Sequence, residues 1–373
     1  MRVLYITQAF GPSGASDIFS MELVRELSKK VGVDVLTISY CKGELEGVKV
    51  FRFPVFGHHA FYKFEMPFLG MRKLLEITYT NRYDIVHSQE LFPGWLGHMA
   101  KKRLKVPHVL VKEMASNYPG AHGSAVLLSE RLSLPHLNFD RLVSWSRYMA
   151  EEFFEKWGIG KEMIEIIPGG IKLEDFKVDR EEVRKRFDVD DKKVLVITKP
   201  FYRTNAIAIT YVIMAMKYVV KKHPDTVLLI AGDGEYRSLL EDFIRRLKLY
   251  KNVRLLGMLN HKEALKLQRS ADILPHSFVY EPTTSIALLE SLASGVPVVV
   301  TSTGEARYLV KDVGILVRPK DPKDMARGIL SLLDNPKLGK ELAKKARKRI
   351  ESEYTIEKVA GRYLKLYREL TAQ

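Results

Sequence analysis

Residues 281–301 read EPTTSIALLESLASGVPVVVT, and this stretch decides the fold. Pro282 suits a helix start, and Thr283 to Ser285 offer hydroxyls and N–H groups at that helix's positive end. Glu290 lies about two turns further down in an otherwise apolar helix, and the β-branched run 298–301 then reads as a strand. Helix and strand continue to alternate in both directions, the pattern of parallel sheets with crossover helices. One series of strands covers 194–198, 226–230, 253–256, 273–275, 298–301 and 314–317. An earlier series covers 2–7, 33–39, 84–87, 108–112, 141–144 and 163–167, with helices such as 16–30 and 146–157 between them. Two consecutive open sheets predict an α/β chain of two Rossmann-like, doubly wound domains, with a ligand site beyond the strands' carboxyl ends in the cleft between them.

The 373 residues agree with two domains at roughly 150 residues each. The expected division is an N-terminal domain over 1–170, a linker over 171–191, a second domain over 192–350, and a C-terminal segment 351–373. In that last segment Ile356, Val359, Tyr363 and Leu366 form one apolar stripe, which is expected to pack back towards the first domain. With 46% hydrophobic residues the chain can offset its ordering entropy, so disorder is excluded as the dominant state. Residues 114–129 form the longest stretch without formal charge, but Pro119, Gly120 and Gly123 break it, and no membrane span is expected. Cys41 is the single cysteine, so no disulfide can form within the chain and a reducing cytoplasm is the simplest setting. The net charge of +15 gathers late: the tail from Lys337 alternates cations and acids at helical spacing, which describes a solvated face. Nucleic acid is therefore not an expected partner.

Four places carry residues suited to chemistry. The loop from Gly11 through Ser13 and Gly14 to Ser16 leads into a helix and allows close backbone approach to an anion, although an isolated GxxG is more often an ordinary turn. Lys199 and Arg203 flank a turn after the second series' first strand, where two cations could clamp a diphosphate or lie solvated on the surface. Glu281, at the mouth of the 282–293 helix, can accept hydrogen bonds from sugar hydroxyls, and Glu290, deeper along it, can grip both hydroxyls of a ribose. The stretch 51–73 mixes aromatics with cations. It reads either as a strand plus an aromatic loop on the domain edge or as a peripheral membrane contact admitting a lipid-linked acceptor. Within it, His58 and His59 are expected as acceptor contacts or surface residues, since no third ligand lies near enough in sequence for a metal site.

The 281–301 stretch closely resembles the donor-site signature of the retaining GT-B glycosyltransferases of family four. Further pieces fall in that family's order: HSQELFPGWLGHMAKKRLKVPHVL, VSWSRYMAEEF, IIPGGI, AGDGEYRSLLE, VRLLGML and GILVRPKDPKDMARGILSLL. The resemblance implies transfer of a sugar from a nucleotide diphosphate sugar to a glycan, lipid-linked or small-molecule acceptor, with retention of anomeric configuration and no metal or other cofactor. It implies that Gly14 approaches the diphosphate, that Lys199 and Arg203 neutralise it, and that Glu281 contacts the transferred sugar. Thr284 and Ser285 would meet the phosphates, Met258 and Leu259 would lie near the base, and Glu290 would hold the ribose. The setting it implies is the cytoplasm or the inner face of the cell membrane.

The chain departs from the pattern at Lys112-Glu113, where the family carries a His before an acidic residue, and Lys112 is expected to contact acceptor or sugar instead. Other departures are Gly169-Gly170 for Asn-Gly, and eight residues rather than seven between Glu281 and Glu290. They leave two alternatives: a member that binds nucleotide sugar or glycan without turnover, and a sugar-nucleotide epimerase of the same fold.

Overall fold

A computed structural model describes all residues except 13–14, 57–61, 114–127, 129, 174–177 and 373, together with the side chains of 15 and 62–64. The chain forms two compact units, one of residues 1–172, 282–284 and 354–373, the other of 173–281 and 285–353.

The first unit is built on β1 (Arg2–Ile6), α1 (Ala15–Ser28), β2 (Gly32–Ile38), β3 (Lys49–Phe53), α2 (Tyr62–Thr80), β4 (Ile85–Gln89), α3 (Leu91–Leu104), β5 (His108–Lys112), β6 (Arg141–Ser144) and β7 (Ile164–Ile166). The strands make one parallel sheet in the order β3-β2-β1-β4-β5-β6-β7. Strands such as β4 and β5 are buried along their whole length, as expected where helices cover both faces. The order reverses between β1 and β4, whose carboxyl ends lie at Ile6 and Gln89.

Helix α2 occupies the second part of 51–73, a stretch the sequence reads either as a strand plus an aromatic loop or as a peripheral membrane contact. Pro67 sits inside α2, and a proline normally signals a break. Close packing holds the helix regardless. A Cβ on Gly70 would stand 2.6 Å from Leu96 of α3 and 3.0 Å from Phe53 of β3, so a bare backbone is what lets α2 lie against both. The C-terminal helix, Ile356–Thr371, belongs to this unit and packs on α1. Its Tyr363, Tyr367 and Leu366 are buried, and Tyr367 Oη lies 2.5 Å from Nδ1 of the buried His87.

The second unit holds α4 (Arg180–Arg186), β8 (Lys193–Thr198), α5 (Arg203–Lys222), β9 (Thr226–Ala231), α6 (Arg237–Arg246), β10 (Val253–Gly257), α7 (His261–Ser270), β11 (Leu274–His276), α8 (Ile286–Ala293), β12 (Val298–Thr301), α9 (Ala306–Val310), β13 (Ile315–Val317), α10 (Pro322–Asp334) and α11 (Pro336–Glu353). Two parallel three-stranded groups, β10-β9-β8 and β11-β12-β13, meet through a bridge between Leu195 and Ile273. The order reverses between β8 and β11. Apolar residues of α5, among them Ile209, Val212, Ile213 and Met216, fill the core against this sheet and α10.

The stretch expected as a linker contributes α4 to the second unit. Arg180 and Arg184 fork onto Asp272 at 2.5 and 2.8 Å and donate to the Ser270 carbonyl. The chain therefore passes between the units at 172–173, at 281–282, at 284–285 and again at 353–354.

Candidate functional site

In an open parallel sheet the reversal of strand order leaves a crevice at the strands' carboxyl ends. In the second unit Lys199 follows β8 at that point. Its backbone N–H donates to Ala231 and its ammonium to the Ser277 carbonyl at 3.1 Å, while the charge lies 3.8 Å from the centre of the Phe278 ring. Burial pushes this ammonium down to about 8, against the opposing pull of the Glu281 carboxylate. His276, at the end of β11, is held neutral near 3, chiefly by burial and then by Lys199. His276 Nδ1 and Ser277 Oγ, close by, are buried and have no hydrogen-bond partner among the described residues. Gly232 keeps this arrangement open: its φ is +154°, and a Cβ there would stand 1.9 Å from the Lys199 carbonyl oxygen. Arg203 opens α5, is exposed, and has no ion-pair partner among the described residues.

The signature segment differs from expectation at its start. The helix begins at Ile286 with Ser285 as its N-cap, not at Pro282. Residues 282–284 are instead pinned within the first unit. Ser146 Oγ donates to the Pro282 carbonyl at 2.7 Å, Thr284 Oγ1 to that of Trp145 at 2.5 Å, and Thr283 Oγ1 to that of Glu113. The two threonine hydroxyls are thus spent on backbone rather than on capping. Glu281 lies half-buried ahead of the helix, its carbonyl accepting from Glu305 N–H at 2.9 Å.

Glu290 of α8 is engaged by another side chain of the same unit: His261 Nε2 lies 2.7 Å from Glu290 Oε1. The loop between β10 and α7 carries Gly257, at φ +81°, the exposed Met258 and the half-buried Leu259. His261 lies 29 positions from Glu290 and belongs to no motif, so spacing could not have found it.

In the first unit the expected acceptor contact Lys112 is corrected. Its side chain has no solvent exposure, and the ammonium is taken up by Glu90 and by Glu130 at 2.8 Å. Burial alone would lower the ammonium, but Glu130 and Glu90 outweigh it and raise it well above the ordinary lysine range. An acceptor has no access to that charge. Glu113 stands at the sheet's reversal, accepting from Ser16 Oγ at 2.7 Å and from Gln89 Nε2. Burial and then Glu90 push its carboxyl up to about 8, with Ser16 and Lys112 opposing. Glu90 itself has φ +77° and accepts from Glu113 N–H at 2.8 Å. Gly14, His58 and His59 lie outside the described residues. Among the described residues no cluster of His, Cys, Asp and Glu could hold a metal, and no helix is long and apolar enough to cross a membrane.

Two parallel, doubly wound units in one chain define a two-domain α/β architecture. HepE from Anabaena, solved in complex with UDP, matches it with a TM-score of 0.82 over 99% of this chain and 100% of that one at 17% identity, which shows the GT-B fold. Residues 179–349 match the family described as glycosyl transferases group 1, and residues 18–175 match glycosyltransferase family 4. The chain belongs to these family-four glycosyltransferases. An uncharacterized glycosyltransferase of Methanocaldococcus jannaschii is 28% identical over 90% of this chain and 89% of its own length. Alpha-monoglucosyldiacylglycerol synthase of Streptococcus pneumoniae is 24% identical over 89% of this chain and 78% of its own.

Proposed function

We propose that this glycosyltransferase moves a sugar from a nucleoside diphosphate sugar to an acceptor with retention of configuration. The observation that carries the reading is Lys199, a buried ammonium at the reversal of the second sheet beside two buried polar atoms that have no hydrogen-bond partner among the described residues. A buried cation there can neutralise the charge that develops on a departing diphosphate, with Arg203 reaching it from the start of α5. Glu281 meets the transferred sugar, the start of α8 at Ser285 faces the phosphates, Glu290 takes the ribose, and Met258 and Leu259 border the base. No metal is needed where side-chain cations neutralise the diphosphate. The UDP in the HepE structure makes uridine diphosphate the first donor base to test.

Calorimetric titration with uridine, guanosine and adenosine diphosphates, with and without magnesium, tests this reading. Saturable, metal-independent binding to one base is expected, weakened about tenfold or more in Glu290→Gln, since a hydrogen bond to a charged group contributes roughly 1.5–3 kcal/mol. Unchanged affinity in that variant would remove Glu290 from the ribose.

A lipid-linked acceptor drawn from a membrane face is the acceptor reading favoured by α2. Phe68, Leu75 and Tyr79 share one stripe of this helix with Arg72, and Phe68 and Tyr79 are 81% and 85% exposed. The lipid product named for the pneumococcal relative supports the same reading. Co-sedimentation with anionic vesicles should fall sharply in a Phe68→Ser, Tyr79→Ser double variant. Equal sedimentation of variant and wild type would point to a water-soluble acceptor.

A further inference from the structure

Glu290 is the one acid in a helix whose Leu288, Leu289 and Leu292 are wholly buried, and the only partner the structure gives it among the described residues is His261. That partner is itself anchored. His261 is the first residue of α7, and Asn260 caps the helix by accepting from Glu263 N–H at 2.9 Å while its amide donates to Glu263 Oε2 at 2.9 Å. The reciprocal cap fixes the backbone from which the imidazole reaches Glu290. The contact uses Oε1 alone, and Oε2 has no partner among the described residues. A carboxylate held by one oxygen and free at the other is preorganised to accept from a neighbouring pair of hydroxyls. A carboxylate left to rotate must be ordered on binding, at a cost in affinity.

We propose that His261 is a positioning residue for nucleotide recognition: its ring N–H holds Glu290 Oε1 so that Oε2 is aimed at the ribose hydroxyls of the donor. This rests on the assignment of Glu290 to the ribose. It makes the β10–α7 connection one recognition element, with Met258 and Leu259 at the base and His261 acting through Glu290 on the sugar. His261 touches no reacting atom, so its loss should act on binding and leave the chemical step alone.

The test compares the affinities of uridine, guanosine and adenosine diphosphates with those of their 2′-deoxy counterparts, in wild type, His261→Ala, His261→Gln and Glu290→Gln. Wild type should prefer the ribonucleotide. In His261→Ala that affinity should fall about tenfold while the deoxynucleotide barely changes, so the preference collapses. His261→Gln keeps a donor and should recover part of it. Under turnover the loss should appear in KM with kcat unchanged. A His261→Ala protein that keeps the wild-type preference, or binds more tightly, while Glu290→Gln loses it, overturns the proposal and leaves the ribose assignment standing. Full retention of the preference in Glu290→Gln overturns the assignment and the proposal with it. If the alanine variant fails to fold, the glutamine variant decides: a preference as weak as that of Glu290→Gln would show that a donor at this position does not suffice.

Discussion

Lys199→Met should lower kcat by about 10²- to 10³-fold, the effect typical of removing one preorganised group that meets developing charge in a water-excluded site. Methionine keeps much of the stem's bulk among Phe278 and its neighbours, so the change is one of charge more than of packing. The pH profile gives a second readout. With its ammonium near 8, Lys199 in the free protein loses its charge as pH rises through that value, and kcat/KM should fall on the same limb. The charged and titratable groups facing it are Glu281, which favours the ammonium, and His276, which stays neutral at any working pH. Lys199→Arg should retain charge and move the limb to higher pH, at whatever rate its different donor geometry allows.

Unfolding cannot mimic that limb. A lysine depressed in the folded state binds fewer protons there than in the unfolded chain between about 8 and the ordinary lysine range. Its contribution to stability therefore rises with pH across that window. Activity lost above pH 8 with stability held or gained would mark Lys199 as the titrating group. A Lys199→Met variant within a few-fold of wild-type kcat would mean that Arg203 or another group carries the neutralisation.

The legibility of Lys199 and the opacity of Lys112 have one physical origin. Lys199 follows a β-branched run, and the end of such a run in a doubly wound sheet is where ligands sit, so local pattern and topology agree. Lys112 also ends a strand, but what its side chain does depends on Glu90 and Glu130, 22 and 18 positions away. Glu90 reaches it because β4 lies beside β5, a pairing that no local spacing encodes. The departure of this position from the family pattern was visible in the sequence, whereas its burial was not. Pro282 misled for a related reason. Proline at a helix start is a sound local rule, but hydrogen bonds to Glu113, Trp145 and Ser146 hold residues 282–284 out of the helix, and the first turn moves to Ile286. Glu290 was legible as an acid misplaced in an apolar helix. His261, which completes it, was not, because sequence carries periodicity within an element but rarely the partner on another.

Lys112→Met should destabilise the first unit by about 3–5 kcal/mol, the range for removing one partner of a buried ion pair. The loss goes beyond the missing contact. Glu130 and Glu90 would lose the ammonium that now neutralises them, and Glu90 would remain bonded to the Glu113 N–H in a backbone conformation at φ +77° that the surroundings must sustain. The ammonium is raised by its two carboxylates, so its contribution is fully present below the unfolded-state lysine pKa and is lost only as pH rises through the higher folded value. Across the physiological range the cost of the variant is therefore undiminished. Glu113 works in the opposite sense. Its carboxyl is pushed up to about 8 and lowered by Lys112, so deprotonation from the ordinary glutamate range upward costs stability, and more so once the cation is gone. Denaturant unfolding of the first unit at pH 6 and pH 8.5 should show a larger deficit at the higher value. At pH 6, where Glu113 is protonated, adding Glu90→Gln and Glu130→Gln to Lys112→Met should restore much of the loss, because the cluster is then neutral and leaves no charge uncompensated. If Lys112→Met alone unfolds at the wild-type midpoint, water reaches these carboxylates and the cluster is not sealed. If the triple variant is no more stable than the single one, the cost lies in packing of the lysine stem rather than in charge.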